Sequence, residues 1–260
     1  MGGLYPKDCE QILNRWLIIP CFNEEHRLSA QRIIGYPESL HCNVLLVDDA
    51  STDNTEKIIN NVVDLSKGTI SSIKLPNNVG KGESIRQGFH WVISRGATQV
   101  GFVDADGAID QDDLLALFDA LDKNPSRKGI IGSRVALLGH EINRTSGRHL
   151  IGRIFATFAS FVLKQPVYDT QCGAKVFRVC ENFNAVLKSP FSSRWGFDVE
   201  LLGRLFLQFP NPPKELFLEV PLRRWNDVAG SKVGILDGVR TFIELLKIKI
   251  ALKKWQRQFR

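Results

Sequence analysis

Residues 101–110 read GFVDADGAID. An apolar run ends in two carboxylates one residue apart, Asp104 and Asp106, and Gly107 follows at once. Side chains alternate along a strand, so the two aspartates are expected on one side of it. Gly107 permits a sharp turn and the close approach of a ligand. Two carboxylates on one side suit a hard divalent cation held through oxygen. Mg²⁺ or Mn²⁺ there would keep coordination positions open for a diphosphate. The plainer alternative is a turn before a helix at 109–117, which Asp110 can cap unaided.

The segments around this stretch repeat its logic. Residues 15–20 (RWLIIP), 42–48 (CNVLLVD), 69–75 and 98–104 read as strands. Helical patterns lie between them at 24–34, 52–65 and 82–95. Strands alternating with helices predict an α/β fold with a mostly parallel sheet, right-handed crossovers and a ligand at the carboxyl ends of the strands. Those ends read PCFNEE, DDASTD and DADG, so three in succession carry acidic or amide groups. In DDAST, Ser51 or Asp53 is placed to cap the second helix, leaving Asp49 for a base or ribose. Residues 77–82, NNVGKG, form a glycine-bearing loop before a helix, with backbone N–H groups and Lys81 set toward phosphate. Neither a P-loop nor a GxGxxG follows any strand.

Further along, 129–133 reads as a strand leading to Arg134, and 148–163 as an apolar segment with Arg148 and Arg153 near its start. Residues 175–178 and 215–221 read as strands, 197–209 as a helix and 235–255 as a long closing helix. One compact domain with a helical extension is the simplest organisation.

Composition narrows the classes. Residues 1–130 carry a net charge of −5 and residues 131–260 a net of +11, so the second half is expected to face something anionic. No apolar run of 18 or more residues is present, which predicts no transmembrane helix, and MGGLYPKDCEQ does not read as a signal peptide. Cys9, Cys21, Cys42, Cys172 and Cys180 show no CxxC spacing and read as reduced, mostly buried thiols of a cytosolic protein. His26, His41, His90, His140 and His149 show no ligand spacing. A nucleic-acid-binding module, prompted by the basic second half, lacks any supporting motif.

Taken in order, PCFNEE, VDDASTDNT, NNVGKGESIRQGF, DADGA, GSR, DTQCGAKVFR and EVP with GSK resemble glycosyltransferase family 2. The resemblance runs from about residue 15 to 232. It is strongest to polyprenyl-phosphate sugar transferases of the dolichyl-phosphate β-glucosyltransferase type, on DADGA at 104–108, DTQCGAK at 169–175 and RWGFDVELL at 194–202. Processive members carry Q-x-x-R-W; here Phe191, Ser192 and Ser193 precede Arg194 and Trp195, so that motif is incomplete.

The resemblance implies a GT-A fold over 1–234, with a nucleotide-binding half at about 15–133 and an acceptor half at about 134–234. A basic amphipathic helix follows at 235–260. It implies an inverting, metal-dependent hexosyl transfer from a nucleoside diphosphate sugar, UDP-glucose first, to a dolichyl- or undecaprenyl-type polyprenyl phosphate. The alternatives are mannose from GDP-mannose to the same lipids, or a soluble glycan acceptor. Pro20, Phe22 and Glu24 would line the nucleotide pocket, and Val47 and Asp49 would contact base and ribose. Asp104, Ala105 and Asp106 would hold Mg²⁺ or Mn²⁺ and the diphosphate, with Arg134 and Lys232 on phosphate. An acceptor phosphate is already anionic and needs positioning rather than a strong base. Arg148 is the first choice to hold it, ahead of Arg153 and Arg144, since a guanidinium fork matches phosphate. Asp169 is the candidate to orient the acceptor or act as base. Asp198 or Glu200 is a candidate for a sugar hydroxyl, and Trp195 for stacking.

A lipid acceptor implies a peripheral location on the cytoplasmic face of a membrane. The apolar residues 155–163 and the lysine-rich terminal helix, with Trp255 and Phe259 near its end, fit an interfacial contact. Relatives of this type usually carry an N-terminal anchor or C-terminal spanning helices, and none is read here. Attachment directly, through a membrane-protein partner or as a homo-oligomer is left open.

Overall fold

The computed structural model describes residues 13–143, 146–194, 196–226 and 236–258, with side chains outside 143–151, 226 and 236–242. Its elements run β1 (Arg15–Cys21), α1 (Ala30–Leu40), β2 (Asn43–Asp48), α2 (Thr55–Leu65), β3 (Ile70–Lys74) and α3 (Lys81–Ile93). There follow β4 (Gln99–Val103), α4 (Gln111–Lys123), β5 (Gly129–Ser133), β6 (Glu141–Asn143), α5 (Ser146–Leu163) and β7 (Ala174–Arg178). The rest is α6 (Glu181–Val186), α7 (Phe197–Gln208), α8 (Pro213–Leu216), β8 (Phe217–Pro221), β9 (Arg224–Asn226) and α9 (Leu236–Gln258).

A seven-stranded sheet has the order β3-β2-β1-β4-β7-β5-β8. All its pairings are parallel except those of β7, which runs antiparallel to both β4 and β5. β1, β2 and β4 are buried on both faces, so they read as near-continuous apolar runs. Alternation along β1 divides the core: Leu17, Ile19 and Cys21 pack with α1, α2 and α4, while Trp16 and Ile18 pack with α3, α6 and α7. A third cluster joins Phe155, Ala159 and Leu163 of α5 to Val199 and Leu202 of α7 and to Leu245, Ile248 and Leu252 of α9. A small parallel sheet pairs β6 with β9.

Several boundaries differ from expectation, each for a local reason. The helix expected over 24–34 begins at Ala30, because Glu24 first closes a turn with the N–H groups of Arg27 and Leu28 and Ser29 then caps the helix. The helix expected from residue 52 begins at Thr55, because 51–54 is spent on contacts to the loop after β1. Asp110 occupies the cap position of α4 but makes no capping hydrogen bond there; its carboxylate lies 3.8 Å from Arg224. Residues 215–216, expected in a strand, belong to the turn α8 opened by Pro213, and β8 starts at Phe217.

The strand at 174–178 carries a lysine with no exposure, Lys175. Its ammonium pairs with buried Asp198 of α7 at 2.5 Å, donates to the Cys172 carbonyl at 2.8 Å and lies 5.3 Å from the centre of the Phe102 ring. Asp198 was a candidate for a sugar hydroxyl; the pairing shows instead that it fastens α7 to the sheet. Removing one partner of a buried pair strands the other charge and costs about 3–5 kcal/mol. Asp198→Ala is therefore expected to lower unfolding stability in urea by that amount, with Lys175→Met on top of it restoring most of the loss.

Candidate active site

The carboxyl ends of β1, β2 and β4 meet around one cavity of about 380 Å³. Its wall includes Pro20, Phe22, Glu24, Asp49, Lys81, Asp104, Ala105 and Asp106. The structure thus brings together all the nucleotide-half residues singled out from the sequence except one. Val47 is fully buried and packs in the core with Ile18 and Phe89, so its side chain does not reach a base. Arg27, Asn78 and Ser84 line the cavity as well and were missed. Arg27 was hidden by the misplaced first helix; a cation three residues after Glu24 was its available signal.

Not every acidic group at these strand ends is available. Asp49 is buried, and its two carboxylate oxygens accept the N–H groups of Val79 and Gly80, each at 2.8 Å. It lines the cavity with both oxygens already accepting one N–H each, and those two amides are not open to phosphate. Asp48 accepts the Ser51 N–H, and Asn23, Glu24 and Glu25 exchange hydrogen bonds with Ser51, Thr52, Asp53, Asn54 and Thr55. Much of the polar sequence after β1 and β2 zips the two loops together.

The carboxylates that do face the cavity crowd one another. Glu24 pairs through Oε1 with Arg27 at 2.6 Å, while its buried Oε2 has no hydrogen-bond partner. Burial raises the Glu24 carboxyl, Arg27 opposes the rise, and Asp106 and Asp104 add to it. Asp106 is likewise raised, by burial and then by Asp104. Its Oδ1 accepts the Ala108 N–H at 3.0 Å, and Gly107 takes a φ of +69°, the sharp turn expected of it. Asp104 forms an ion pair with Lys81 at the start of α3. Burial alone would lower the Lys81 ammonium; Asp104, then Asp198 and Asp106, carry it above its ordinary range.

Beside this wall stands a second charged unit. Arg134, after β5, meets Asp169 in a two-point contact, Nε to Oδ2 at 2.7 Å and Nη2 to Oδ1 at 2.8 Å, and its own N–H donates to Oδ2 at 3.0 Å. Asp169 lifts the guanidinium above its ordinary value against the effect of burial. The Trp225 ring lies 5.3 Å from its Cζ. A carboxylate so engaged is a positioning group for Arg134 and not a free base. Glu219 on β8 holds the segment in turn, accepting the N–H groups of Tyr168 and Asp169 at 2.8 and 2.9 Å. That role was missed although EVP stood in the sequence pattern.

Glu200 accepts from Ser192 and Ser193 and pairs with Arg204 in the interior, so it too is unavailable to a sugar. Arg153 stacks on Tyr168 at 4.0 Å, and its buried Nη1 has no hydrogen-bond partner. Arg148 lies in the first turns of α5, with its side chain outside the described residues; Arg144, Trp195 and Lys232 lie outside them altogether. The four described cysteines are free, and burial pushes the Cys42 and Cys172 thiols up to about 12.

Residues 16–180 match the family model described as Glycosyl transferase family 2. The chain belongs to glycosyltransferase family 2. It is 30% identical over 259 residues to a dolichyl-phosphate β-glucosyltransferase of Saccharomyces cerevisiae, covering 90% of this chain and 74% of the relative. It is 27% identical over 192 residues to the polyprenol monophosphomannose synthase of Mycolicibacterium smegmatis, covering 72% and 70%. Among solved structures, glucosyl-3-phosphoglycerate synthase of Mycobacterium tuberculosis, in complex with Mn²⁺, UDP and glucosyl-3-phosphoglycerate, superposes with a TM-score of 0.63 at 16% identity. That match covers 92% of this chain and 80% of the other. The fold is GT-A, and this family 2 chain is a glycosyltransferase.

The site's donors suit the divalent metal that this fold implies. Asp104 and Asp106 offer hard oxygens on one cavity wall, and Glu24 Oε2 is an orphaned buried acceptor on the same wall. Carboxylates that raise one another, as Asp104 and Asp106 raise Glu24, gain from a cation nearby. Among the described residues no group of three or more His, Cys, Asp or Glu side chains is arranged to hold a metal unaided. Such a donor set leaves coordination positions for a ligand's own oxygens.

A raised Asp106 carboxyl means that its ionised form costs folding free energy at neutral pH, a cost that disappears as pH falls through the raised pKa. Asp106→Asn keeps the hydrogen bond from Ala108 and removes the charge. It is expected to raise the thermal midpoint while sugar transfer falls about 100-fold or more. Gly173 precedes β7, and a Cβ there would run into the Asp104 carboxylate. Gly173→Ala is therefore expected to displace Asp104 and lower sugar transfer at least several-fold, with the fold retained by circular dichroism.

Proposed function

We propose that this glycosyltransferase is an inverting, metal-dependent enzyme that moves a hexose, glucose from UDP-glucose in the first instance, onto a polyprenyl phosphate at a membrane surface. The observation that carries the reading is the convergence of Asp104, Ala105 and Asp106 with Pro20, Phe22, Glu24 and Lys81 on one cavity, with the Arg134/Asp169 unit at the end of β5, across β7 from β4. Similarity to dolichyl-phosphate and polyprenol-phosphate sugar transferases supports the choice of acceptor.

The chemistry follows from charge. Negative charge grows on the leaving diphosphate as the glycosidic bond breaks. Asp104 and Asp106 would hold Mg²⁺ or Mn²⁺, which supplies Lewis-acid neutralisation of that charge when bound. Lys81, paired with Asp104 on the same cavity wall, offers its ammonium to the diphosphate. Arg134 spends two of its five N–H groups on Asp169, which leaves a preoriented fork for a phosphate. Asp169 orients that fork and takes no proton, because a phosphate nucleophile brings its own negative charge. The remaining requirement is in-line placement behind the anomeric carbon. Arg148 and Lys232 are proposed to join the acceptor and donor phosphates respectively.

The test is transfer of labelled sugar to a short-chain polyprenyl phosphate, with UDP-glucose and GDP-mannose compared, each with Mn²⁺, with Mg²⁺ and with EDTA. The expected result is one preferred donor, loss of product in EDTA, and loss of about 100-fold or more in Asp106→Ala and Arg134→Ala. Donor hydrolysis without any glycosylated lipid would remove the acceptor reading; preference for GDP-mannose would replace the sugar.

A further inference from the structure

Large apolar side chains are concentrated on the outside of two neighbouring helices. On α5, Phe155, Ala159 and Leu163 face the core, while Ile154, Phe158 and Phe161 point outward, Phe161 with 71% of its surface exposed. On α9, Leu245, Ile248, Leu252 and Trp255 face inward, while Ile243, Leu246 and Ile250 are exposed. At about 100° per residue, those three fall within a sector of about 60° opposite the buried face. Lys247 and Lys254 border that sector on one side, and Lys249 and Lys253 on the other. The two outward faces adjoin, since the Lys249 ammonium lies 5.0 Å from the centre of the Phe161 ring.

Charge decides what such a surface fits. From residue 243 to 258 the one carboxylate is Glu244, and it is turned to Ser193 at 2.7 Å and Lys247 at 2.9 Å. No acidic residue occurs in α5. An apolar strip framed by lysines and free of carboxylates is complementary to an anionic headgroup layer over hydrocarbon. The lysine stems lie along the apolar surface and their ammonium groups reach the phosphates. No described helix is long and apolar enough to cross a membrane, so the contact is one of seating and not of spanning.

We infer that the outward faces of α5 and α9 together form a seat for an anionic lipid bilayer. The same α5 carries Arg153, stacked on Tyr168, whose neighbour Asp169 holds Arg134. The seat is thereby connected through a few side chains to the phosphate-directed end of the site. This deepens the lipid-acceptor reading and rests on it for its use, though not for the binding itself.

The full chain is sedimented with vesicles of phosphatidylcholine alone and with vesicles that also contain phosphatidylserine. The expected result is binding to the anionic vesicles, weakened by salt. Phe161→Glu with Ile250→Glu should reduce that binding tenfold or more. Transfer to a water-soluble short-chain acceptor should be unchanged, which also reports that the variant is folded. Lys249→Glu with Lys253→Glu, which leaves the apolar strip intact, should reduce binding several-fold. A wild-type chain that stays in the supernatant with both vesicles overturns the inference. So does binding indifferent to both variants, or a chain that binds no vesicle but changes from oligomer to monomer in Phe161→Glu with Ile250→Glu. Vesicle binding that persists in a chain with no lipid glycosylation supports the seat and removes the acceptor reading alone.

Discussion

The site depends on one antiparallel strand. Had β7 run parallel like its neighbours, its first residues would lie at the far edge of the sheet. Because it runs the other way between β4 and β5, its beginning sits where they end. The Asp104 N–H then donates to the Gly173 carbonyl at 3.1 Å, and Asp169 reaches Arg134 directly after β5. Lys175, two residues into the same strand, fixes it to α7 through Asp198. A single reversal of direction therefore joins the aspartate pair, the arginine and the helical half of the protein.

Around that junction the carboxylates divide by what satisfies them. Asp49, Asp169, Asp198 and Glu200 have their oxygens filled by amides, hydroxyls or cations of the protein itself. They set geometry. Glu24 and Asp106 are less fully compensated, and burial first, then the neighbouring aspartates, raises their carboxyls. Folding alone would not select an arrangement in which like charges face one cavity from two strands. The cost is understandable where a cation and a polyanion complete the site.

This division also explains what the sequence disclosed. The runs RWLIIP and CNVLLVD, with acidic groups after them, were enough to place strands, a parallel sheet and the cavity at its carboxyl edge. What a given acid does there was not legible, because a carboxylate that binds two amides and one that faces a ligand look alike in a string of residues. Asp49 shows it, lining the cavity while its oxygens accept the N–H groups of Val79 and Gly80; Val47, expected at a base, has its side chain in the core because a buried strand residue looks the same whichever face it packs on. The Arg134/Asp169 pair was seen as two separate candidates, since 35 residues separate them and a five-residue apolar strand carries no mark of its direction. Glu219 was overlooked because its partners are backbone N–H groups, which no side-chain pattern records.

The uneven charge of the two halves acquires a meaning from this geometry. The proposed reaction brings together two anions, a donor diphosphate and an acceptor phosphate, which repel until something stands between them. In that proposal the acidic first half, at −5, would meet the donor through a cation-binding wall, with Lys232 reaching across to it, and the basic second half, at +11, would meet the acceptor with its guanidinium groups. A uniformly basic protein would hold both phosphates without needing a metal and would give up the donor slowly. A uniformly acidic one would repel the acceptor and any anionic surface bearing it. Dividing the charge at β5, where Arg134 begins the basic half, lets each anion be held by a different device within one cleft. The lysines of α9 extend that basic half to the outer surface, so the field that receives an acceptor phosphate and the field that draws the protein to anionic lipid have the same sign and arise from the same part of the chain.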